Sequence, residues 1–295
     1  MITILTPTYN RANLLPRLFE SLKNQTAFDF EWLIIDDGST DNTQDIVSGF
    51  TTEKFSIYYH YKENGGKHTA MNYSHPYING DLVAIVDSDD YLFPNAVDCI
   101  SQDWAQYQDH AGIGMFSYQR ITTTNKIVST TYVDEYFIGD EIITRTNGVS
   151  GGDRFEVVRT DVFTKYTLPV FPGEKFMSEG WLWREIAKNF QTVYINHPIY
   201  VCEYLTGGLT KSGRLFRMNN PYGMMENCKS FMVPQIRLRI KTKQVLAFGV
   251  YGFCAGLKCV EIIRRSEMSF VQALMLPFSY FLYRKWAIEN DFRRK

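Results

Sequence analysis

The sequence has few cysteines, no basic leader and no long apolar run. Its five cysteines form neither a CxxC pair nor a zinc-ligand spacing, which argues against a disulfide framework and favours reduced thiols in the cytosol. The chain opens on Met1-Ile-Thr-Ile-Leu, so we expect no signal peptide. The longest uncharged run near the C-terminus, residues 268–283, has 16 residues, fewer than the roughly 20 that span a bilayer. We therefore expect a cytoplasmic protein.

Net charge is also low, at -1, but it is unevenly spread. Residues 1–210 hold 15 Lys and Arg against 27 Asp and Glu, whereas residues 211–295 hold 16 against 5. Aromatic residues lie among the C-terminal cations. Two hypotheses account for this: peripheral binding to an anionic membrane surface, at the inner face of the plasma membrane, or a basic helical cap on the acidic part. Nucleic acid is not an expected partner, because most of the chain is acidic and has no recognition motif.

A short apolar segment followed by three carboxylates is the most informative stretch. Residues 82–86 are rich in β-branched side chains and predict a buried strand. Asp87, Asp89 and Asp90 follow at its end, where open α/β sheets bind ligands. Crowded carboxylates repel one another unless a cation joins them, and oxygen ligands suit Mg²⁺ or Mn²⁺. The alternative is an acidic turn that only caps the next helix.

Strand and helix patterns alternate four times in the first 90 residues, which predicts a parallel, doubly wound sheet. Further along, we expect a mid-chain hairpin, one more strand and a helical C-terminal region. The predicted strands are residues 2–6, 32–35, 56–61, 82–86, 113–120, 126–132 and 155–159. The predicted helices are residues 14–22 with Asn13 as N-cap, 68–75, one after Asn95, one after Glu179, 214–232, 240–265, and 268–288 interrupted by Pro277. Thr40 or Asp41 is expected to cap the helix after the second strand.

Four motifs, taken together, give the chain a family resemblance. They are Ile4-Leu-Thr-Pro-Thr-Tyr-Asn-Arg11, Ile35-Asp-Asp-Gly-Ser-Thr-Asp41, Asn64-Gly-Gly66 with Ala70-Met-Asn72, and Val86-Asp-Ser-Asp-Asp90 with Pro94. In order and spacing they resemble the family 2 glycosyltransferases of the GT-A fold. The resemblance implies a Rossmann-like, doubly wound, mostly parallel mixed sheet flanked by helices, with a C-terminal helical extension. It also suggests a catalytic domain over residues 1–210 and a helical region over 211–295.

The resemblance assigns a nucleotide and metal site to these motifs. By position it implies that Asp37 accepts the N3–H of uracil, a proton that cytosine lacks, while Thr8 and Tyr9 line the base pocket. Asp87 then bonds the ribose or a metal-bound water, and Asp89 binds Mn²⁺ or Mg²⁺ directly. The full predicted set is Pro7, Thr8, Tyr9, Asp37, Lys67, Asp87 and Ser88 for the nucleotide, with Asp89 and Asp87 for the metal. Asp37 as a turn residue, Tyr9 as core and Lys67 as a solvated lysine are the alternatives.

The catalytic base is expected further along the chain. Relatives often have Glu-Asp where this sequence has Glu179-Gly180, so only Glu179 matches the base by position. Asp153, in a glycine-rich turn, is the second candidate. Glu179 can also serve simply as an acid that complements the dipole at a helix N-terminus. Residues 204–212 are expected either to close over the diphosphate, with Lys211 or Arg214 pairing with the leaving group, or to form an ordinary loop.

The resemblance thus predicts a metal-dependent, inverting glycosyltransferase that uses a UDP-sugar donor. Its acceptor is expected to be a saccharide or a polyprenyl-linked saccharide in cell-surface polysaccharide synthesis. One alternative is a nucleotidyltransferase, although residues 7–11 lack the glycine-rich basic loop that binds a triphosphate. Another is a non-catalytic nucleotide-sugar-binding partner, since Gly180 removes one carboxylate.

Overall fold

The computed structural model describes residues 1–148, 151–203 and 213–292. They fall into two compact units: residues 1–167 with 186–203, and residues 168–185 with the chain from 204 onward. The predicted boundary at residue 210 remains a prediction. In chain order the elements are β1 (Ile2–Thr8), α1 (Leu15–Lys23), β2 (Phe30–Asp36), α2 (Thr43–Ser48), β3 (Ser56–Tyr61), α3 (Lys67–Ser74), β4 (Leu82–Ile85), β5 (Tyr91–Leu92), α4 (Ala96–Tyr107), β6 (Ile113–Thr122), β7 (Tyr136–Gly139), β8 (Arg154–Arg159), α5 (Thr160–Phe163), α6 (Glu179–Ala187), β9 (Gln191–Cys202), α7 (Gly213–Met218), α8 (Pro221–Lys229), α9 (Leu238–Cys254), α10 (Cys259–Arg265) and α11 (Ser269–Glu289).

One nine-stranded mixed sheet organises the first unit. Its order is β3-β2-β1-β4-β8-β6-β9-β5, with β7 paired to β9. The first four strands in this order are mutually parallel, as the strand and helix alternation predicts. In register, Thr8 lies beside Asp36 and Leu5 lies beside Ile85. The carboxyl ends of β1, β2 and β4 therefore meet at one edge of the sheet.

The predicted strand over residues 126–132 is wrong. Apart from an isolated bridge between Ile121 and Ile127, this segment pairs with no strand of the described chain. Its backbone groups are bound elsewhere: the buried guanidinium of Arg154 donates to the carbonyl oxygen of Thr130 at 3.1 Å, and the Asn196 side chain accepts the N–H of Tyr132 at 3.0 Å and donates to its carbonyl oxygen at 2.8 Å. β9, which the sequence analysis did not predict, is the strand that pairs with β6 instead of residues 126–132.

Two details at helix ends also differ from expectation. Asn13 does not cap α1, because the N-cap residue is Leu14 and it makes no side-chain cap. Asp41 accepts the N–H of Thr43 at 3.1 Å, although the N-cap of α2 is Asn42. Asn10 takes a φ of 52° and its side chain accepts the N–H of Thr40 at 2.8 Å, so the loops after β1 and β2 are joined.

Five helices form the described C-terminal part of the second unit. The predicted helix over residues 214–232 is divided between α7 and α8, and the one over 240–265 ends at Cys254 before α10 starts. The predicted interruption of α11 at Pro277 is wrong, because the helix runs through it. Pro277 and Ala273 are both exposed, so water can satisfy the carbonyl that proline leaves unbonded. Within the described residues, no helix combines the length and apolarity needed to cross a bilayer.

Candidate functional site

The ends of β1 and β2 place Thr8 and Asp37 side by side. Asp37 donates its N–H to the carbonyl oxygen of Thr8 at 2.8 Å. Both residues are buried, and the hydroxyl of Thr8 has no hydrogen-bond partner. Buried polar groups are nearly always satisfied, so this hydroxyl suits a ligand or a water molecule. Pro7 is buried in β1 and Tyr9 is 45% exposed.

Asp37 organises the loop that carries the two glycines. Its carboxylate accepts the ammonium of Lys62 at 2.6 Å and the side-chain amide of Asn64 at 3.1 Å. It also accepts the N–H groups of Gly65 at 3.0 Å and Gly66 at 2.6 Å. The Thr69 hydroxyl is a fifth donor, at 3.3 Å, so the chain itself already fills the roughly four acceptor sites of a carboxylate. A base N–H that binds Asp37 must therefore take the place of one of them.

The end of β4 brings three carboxylates together. One oxygen atom of each of Asp87, Asp89 and Asp90 lies within 4.8 Å of the others. Asp90 is held by the Tyr200 hydroxyl at 2.7 Å and by the N–H of Glu203 at 2.9 Å. Asp87 accepts a hydrogen bond from Lys67. No other residue in the described part of the chain donates a hydrogen bond to the Asp89 carboxylate, which leaves that group available to a ligand.

The electrostatics of this cluster are those of crowded, partly buried acids. Burial opposes ionisation of Asp87, but the charges of Lys67 and then Arg120 hold its pKa below the usual range. Burial and then the charge of Asp87 raise the pKa of Asp89. The same two causes raise the pKa of Asp90 to about 7. A cation bound here relieves the repulsion between these groups.

The residues present fit a divalent metal ion. All three side chains offer oxygen ligands, which Mg²⁺ and Mn²⁺ prefer. Asp89 has the least occupied carboxylate, whereas both Asp90 oxygens already accept hydrogen bonds. The predicted pair Asp89 and Asp87 is thus brought together, with Asp90 beside them. Ser88, between the two predicted ligands, is buried.

Arg17 is a site residue that the motifs did not reveal. Its guanidinium donates to a carboxylate oxygen of Glu203 and to the backbone carbonyl oxygen of Asp89. It also lies over the ring of Tyr91, 5.1 Å from the centroid. Arg17 thereby joins α1 to the loop of the acidic cluster. Its position on α1, between the buried Leu15 and Leu18, gave no sign of this in the sequence.

Arg120 and Tyr200 were also missed. Arg120, in β6, lies 4.0 Å from an Asp87 oxygen and stacks over the Tyr200 ring at 4.3 Å. The Tyr200 hydroxyl accepts the N–H of Asp87 at 3.1 Å while donating to Asp90. Both side chains come from strands whose pairing with the rest of the sheet could not be inferred from the motifs.

The predicted bases lie apart from these motifs in the sequence. Glu179 is the first residue of α6 and belongs to the second unit. Asp153 belongs to the first unit, is exposed and directly precedes β8. Of the segment expected to close over the diphosphate, residues 204–212 lie outside the described chain. Arg214 pairs with Glu289 at 2.8 Å.

Comparison with known proteins identifies the family. The family model "Glycosyl transferase family 2" matches residues 3–155, which is more than half of the chain. The chain therefore belongs to glycosyl transferase family 2, as the motifs predicted. The chondroitin synthase of Pasteurella multocida is 37% identical over 103 residues, which cover 35% of this chain and 11% of that protein. The first three curated relatives are matched over 11% to 34% of their own length.

Solved structures confirm the fold. S. aureus TarS 1-349 in complex with UDP-GlcNAc is similar with a TM-score of 0.66 at 15% identity, over 96% of this chain and 91% of that one. The mannosyltransferase PcManGT of Pyrobaculum calidifontis, in complex with GDP-Man and Mn²⁺, is similar with a TM-score of 0.55 at 15% identity, over 98% and 83% of the two chains. The predicted mixed α/β sheet flanked by helices is confirmed, and the predicted class, a glycosyltransferase, agrees with the family match.

Proposed function

We propose that this chain transfers a sugar from a UDP-sugar donor to a hydroxyl group of a saccharide or lipid-linked saccharide, with inversion and with Mn²⁺ or Mg²⁺ bound. The observation that carries the proposal is the group of carboxylates Asp87, Asp89 and Asp90, with oxygens within 4.8 Å of one another. Two structures of similar fold support it, one solved with UDP-GlcNAc and one with GDP-Man and Mn²⁺.

Asp89 and Asp87 are the residues that would hold the metal. A divalent cation supplies charge neutralisation on a departing diphosphate. Lys67, now paired with Asp87, provides a second cation that can bind a donor phosphate. Such an exchange keeps Lys67 in a charge-assisted hydrogen bond, because phosphate and carboxylate are both ionised acceptors.

The base pocket is assigned to Pro7, Thr8, Tyr9 and Asp37, with Ser88 close in sequence to the metal ligands. The partnerless hydroxyl of Thr8 is suited to a polar atom of the nucleotide. The Tyr9 ring, 45% exposed, offers a stacking face. Asp37 accepts the N3–H of uracil by replacing one of its five present donors, of which the Thr69 hydroxyl at 3.3 Å is the most distant.

Glu179 is assigned as the base, with Asp153 as the second candidate. Glu179 takes the proton of the acceptor hydroxyl as its oxygen bonds to the anomeric carbon. The bond from that carbon to the β-phosphate oxygen breaks, and its electron pair leaves with UDP. One displacement of this kind inverts the anomeric configuration. The setting we infer is cell-surface polysaccharide synthesis on the cytoplasmic side.

Donor binding and donor turnover, measured separately, test this proposal. Calorimetry with UDP should show binding that needs Mn²⁺ or Mg²⁺ and that Asp89→Ala abolishes, while Asp109→Ala, an exposed control, leaves it unchanged. Glu179→Gln should keep donor binding but lose at least 100-fold in UDP-sugar hydrolysis or transfer.

Each of the two measurements, donor binding and donor turnover, has an outcome that would contradict the proposal. Metal-independent binding, or unchanged affinity in Asp89→Ala, removes the metal assignment. Full turnover in Glu179→Gln moves the base to Asp153, and Asp153→Asn then has to show the loss. A wild-type protein that binds UDP-sugars yet never turns them over is a non-catalytic binding partner.

A further inference from the structure

Helix α11 has a row of large apolar side chains in solvent. Phe270, Leu274, Phe278 and Phe281 are 78%, 60%, 65% and 74% exposed. Their spacing of four, four and three residues places them on one face of the helix. We call these four residues the α11 outer face. Monomeric soluble proteins seldom expose so many large apolar side chains contiguously, and such patches mark interaction sites.

The opposite face of α11 already holds the helix in place. Its buried residues are Gln272, Leu276 and Ser279. The Ser279 hydroxyl donates to the carbonyl oxygen of Leu246 in α9 at 3.0 Å. A Cβ atom on Gly249 would lie 2.4 Å from the same hydroxyl, so α9 and α11 pack in close backbone approach.

Aromatic pairs extend this packing toward the C-terminal ends of both helices. Tyr251 and Trp286 have ring centroids 6.3 Å apart, and Phe253 lies 5.2 Å from Tyr280. The packing of α11 against α9 therefore involves the face with Gln272, Leu276 and Ser279, and it leaves the four residues of the α11 outer face exposed.

The charge of the helical region favours an anionic partner for this face. Residues 213–292 hold twelve Lys and Arg against five Asp and Glu. Arg264 and Arg265 are exposed at the end of α10, and Arg284 and Lys285 are exposed beyond the α11 outer face. Cations thus precede and follow the apolar row along the chain. This arrangement is typical of helices that lie in the plane of a membrane surface.

We propose that the α11 outer face docks this protein on the surface of an anionic lipid bilayer. The apolar row would enter the boundary between headgroups and acyl chains, with the neighbouring cations at the headgroups. No helix in the described ranges is able to cross the bilayer, so the association is peripheral. A second copy of the chain fits less well, because it would bring two regions of the same positive sign together. The proposal is independent of the donor and of the metal.

Vesicle sedimentation with the full chain tests the proposal. Wild-type protein should pellet with vesicles containing phosphatidylglycerol at low salt and should bind pure phosphatidylcholine vesicles at least tenfold more weakly. The double variant Phe278→Glu/Phe281→Glu should lose at least tenfold in affinity for the anionic vesicles. The matched control is Val133→Glu/Val170→Glu, which adds the same charge at two exposed valines outside α11 and should lose far less.

Several results would overturn the proposal. One is wild-type protein that stays in the supernatant with anionic vesicles at low salt. Another is a loss of vesicle affinity that is equal in the α11 variant and in its control. Size-exclusion chromatography tests whether a second copy of the chain binds this face instead. If wild type is a dimer and the α11 variant is a monomer, the face is a dimer interface. Thermal unfolding of both variants confirms that each is folded, and UDP binding, measured alongside, keeps this test separate from the donor assignment.

Discussion

His68 shows, at the scale of one residue, how burial sets the charge of a side chain. It lies in α3, is 3% exposed, and its Nδ1 has no hydrogen-bond partner. Burial lowers its pKa to about 4, with a further lowering by the charge of Lys62 and an opposing effect of Asp37. His68 is therefore neutral in the folded protein at any pH near 7, although it follows the predicted phosphate-binding Lys67.

The pH dependence of stability should report this burial. As pH falls below about 6.5, the unfolded chain protonates His68 first, so the free energy of unfolding drops until the folded protein also takes the proton near pH 4. At pH 5 the loss from this group is about 2 kcal/mol. Urea unfolding at pH 8 and pH 5 should show that His68→Gln loses about that much less than wild type. His110→Gln, at an exposed site, should behave as wild type, and an identical pH loss in His68→Gln would contradict the assignment.

Arg17 acts at the same scale, as a side chain that positions another residue's carboxylate. It binds the Asp89 carbonyl oxygen and Glu203, and a lysine cannot reproduce this forked geometry. Outer partners of metal ligands typically contribute about 10–100-fold to metal affinity. We expect Arg17→Lys to raise the Mn²⁺ concentration needed for UDP binding by about that factor. Stability should change by less than about 1 kcal/mol, because the ion pair is partly exposed.

The matched control for Arg17 is Arg159→Lys. Arg159 also pairs with an acid, Asp161, and also lies over an aromatic ring, that of Trp104, but it has no contact with the acidic cluster. A metal titration in which both variants behave like wild type would show that Arg17 does not position Asp89.

At the scale of elements, the start of α8 depends on a residue far from it in sequence. The Glu174 carboxylate accepts the N–H groups of Tyr222 at 2.7 Å and Gly223 at 2.8 Å. These are two of the N–H groups that the first turn of a helix leaves without a partner. Burial raises the pKa of Glu174, and the two N–H bonds oppose that shift. A glutamate 48 residues before Tyr222 thus takes the role of an N-cap residue.

Removing this carboxylate should destabilise the second unit. We expect Glu174→Ala to lower the free energy of unfolding by about 2–3 kcal/mol, because it leaves the buried N–H of Gly223 and the partly buried N–H of Tyr222 without this partner. Glu174→Gln should cost less, since its amide oxygen still accepts. Chemical denaturation followed by circular dichroism measures both, with Glu267→Ala as the exposed control. A loss below 0.5 kcal/mol in Glu174→Ala, or one equal to that of the control, would rule out the capping role.

Elements with their own local pattern could be predicted, and elements that depend on distant partners could not. β3 and α3 match their predictions closely, because apolar alternation and a Gly-Gly start define them locally. β9 was missed although, at 12 residues, it is the longest strand in the described part of the chain. Residues 126–132 have a strand-like composition, yet the guanidinium of Arg154 takes the Thr130 carbonyl oxygen. A hydrogen bond from a distant, buried arginine to a backbone carbonyl oxygen cannot be predicted from the pattern of apolar residues in the sequence.

At the scale of the whole molecule, some site residues are positioned by local sequence patterns and others by pairing between distant strands. The positions of Thr8, Asp37, Asp87 and Asp89 could be predicted because each lies at or just after the end of a strand whose carboxyl end faces the same edge of a parallel sheet. Arg120 and Tyr200 could not, because they reach the acidic cluster from β6 and β9, and the sheet order that brings these strands there is set by long-range pairing. The motifs thus specify which carboxylates meet at this edge of the sheet, but not the cations and hydroxyls that bind them.

Donor binding should raise the free energy of unfolding of the chain, and the size of the increase should depend on whether the nucleotide carries uracil or cytosine. UDP with Mn²⁺ at 100 times its dissociation constant raises the free energy of unfolding by about 2.7 kcal/mol. Cytosine has no N3–H to give Asp37, so CDP should bind about 1–3 kcal/mol more weakly. At the same concentration, a tenfold weaker CDP would contribute only about 1.4 kcal/mol. Denaturant unfolding with each nucleotide, with and without a chelator, measures the difference. Equal stabilisation by UDP and CDP would show that the five donors of the chain keep Asp37 fully occupied, and that Asp37 only holds the glycine loop in place.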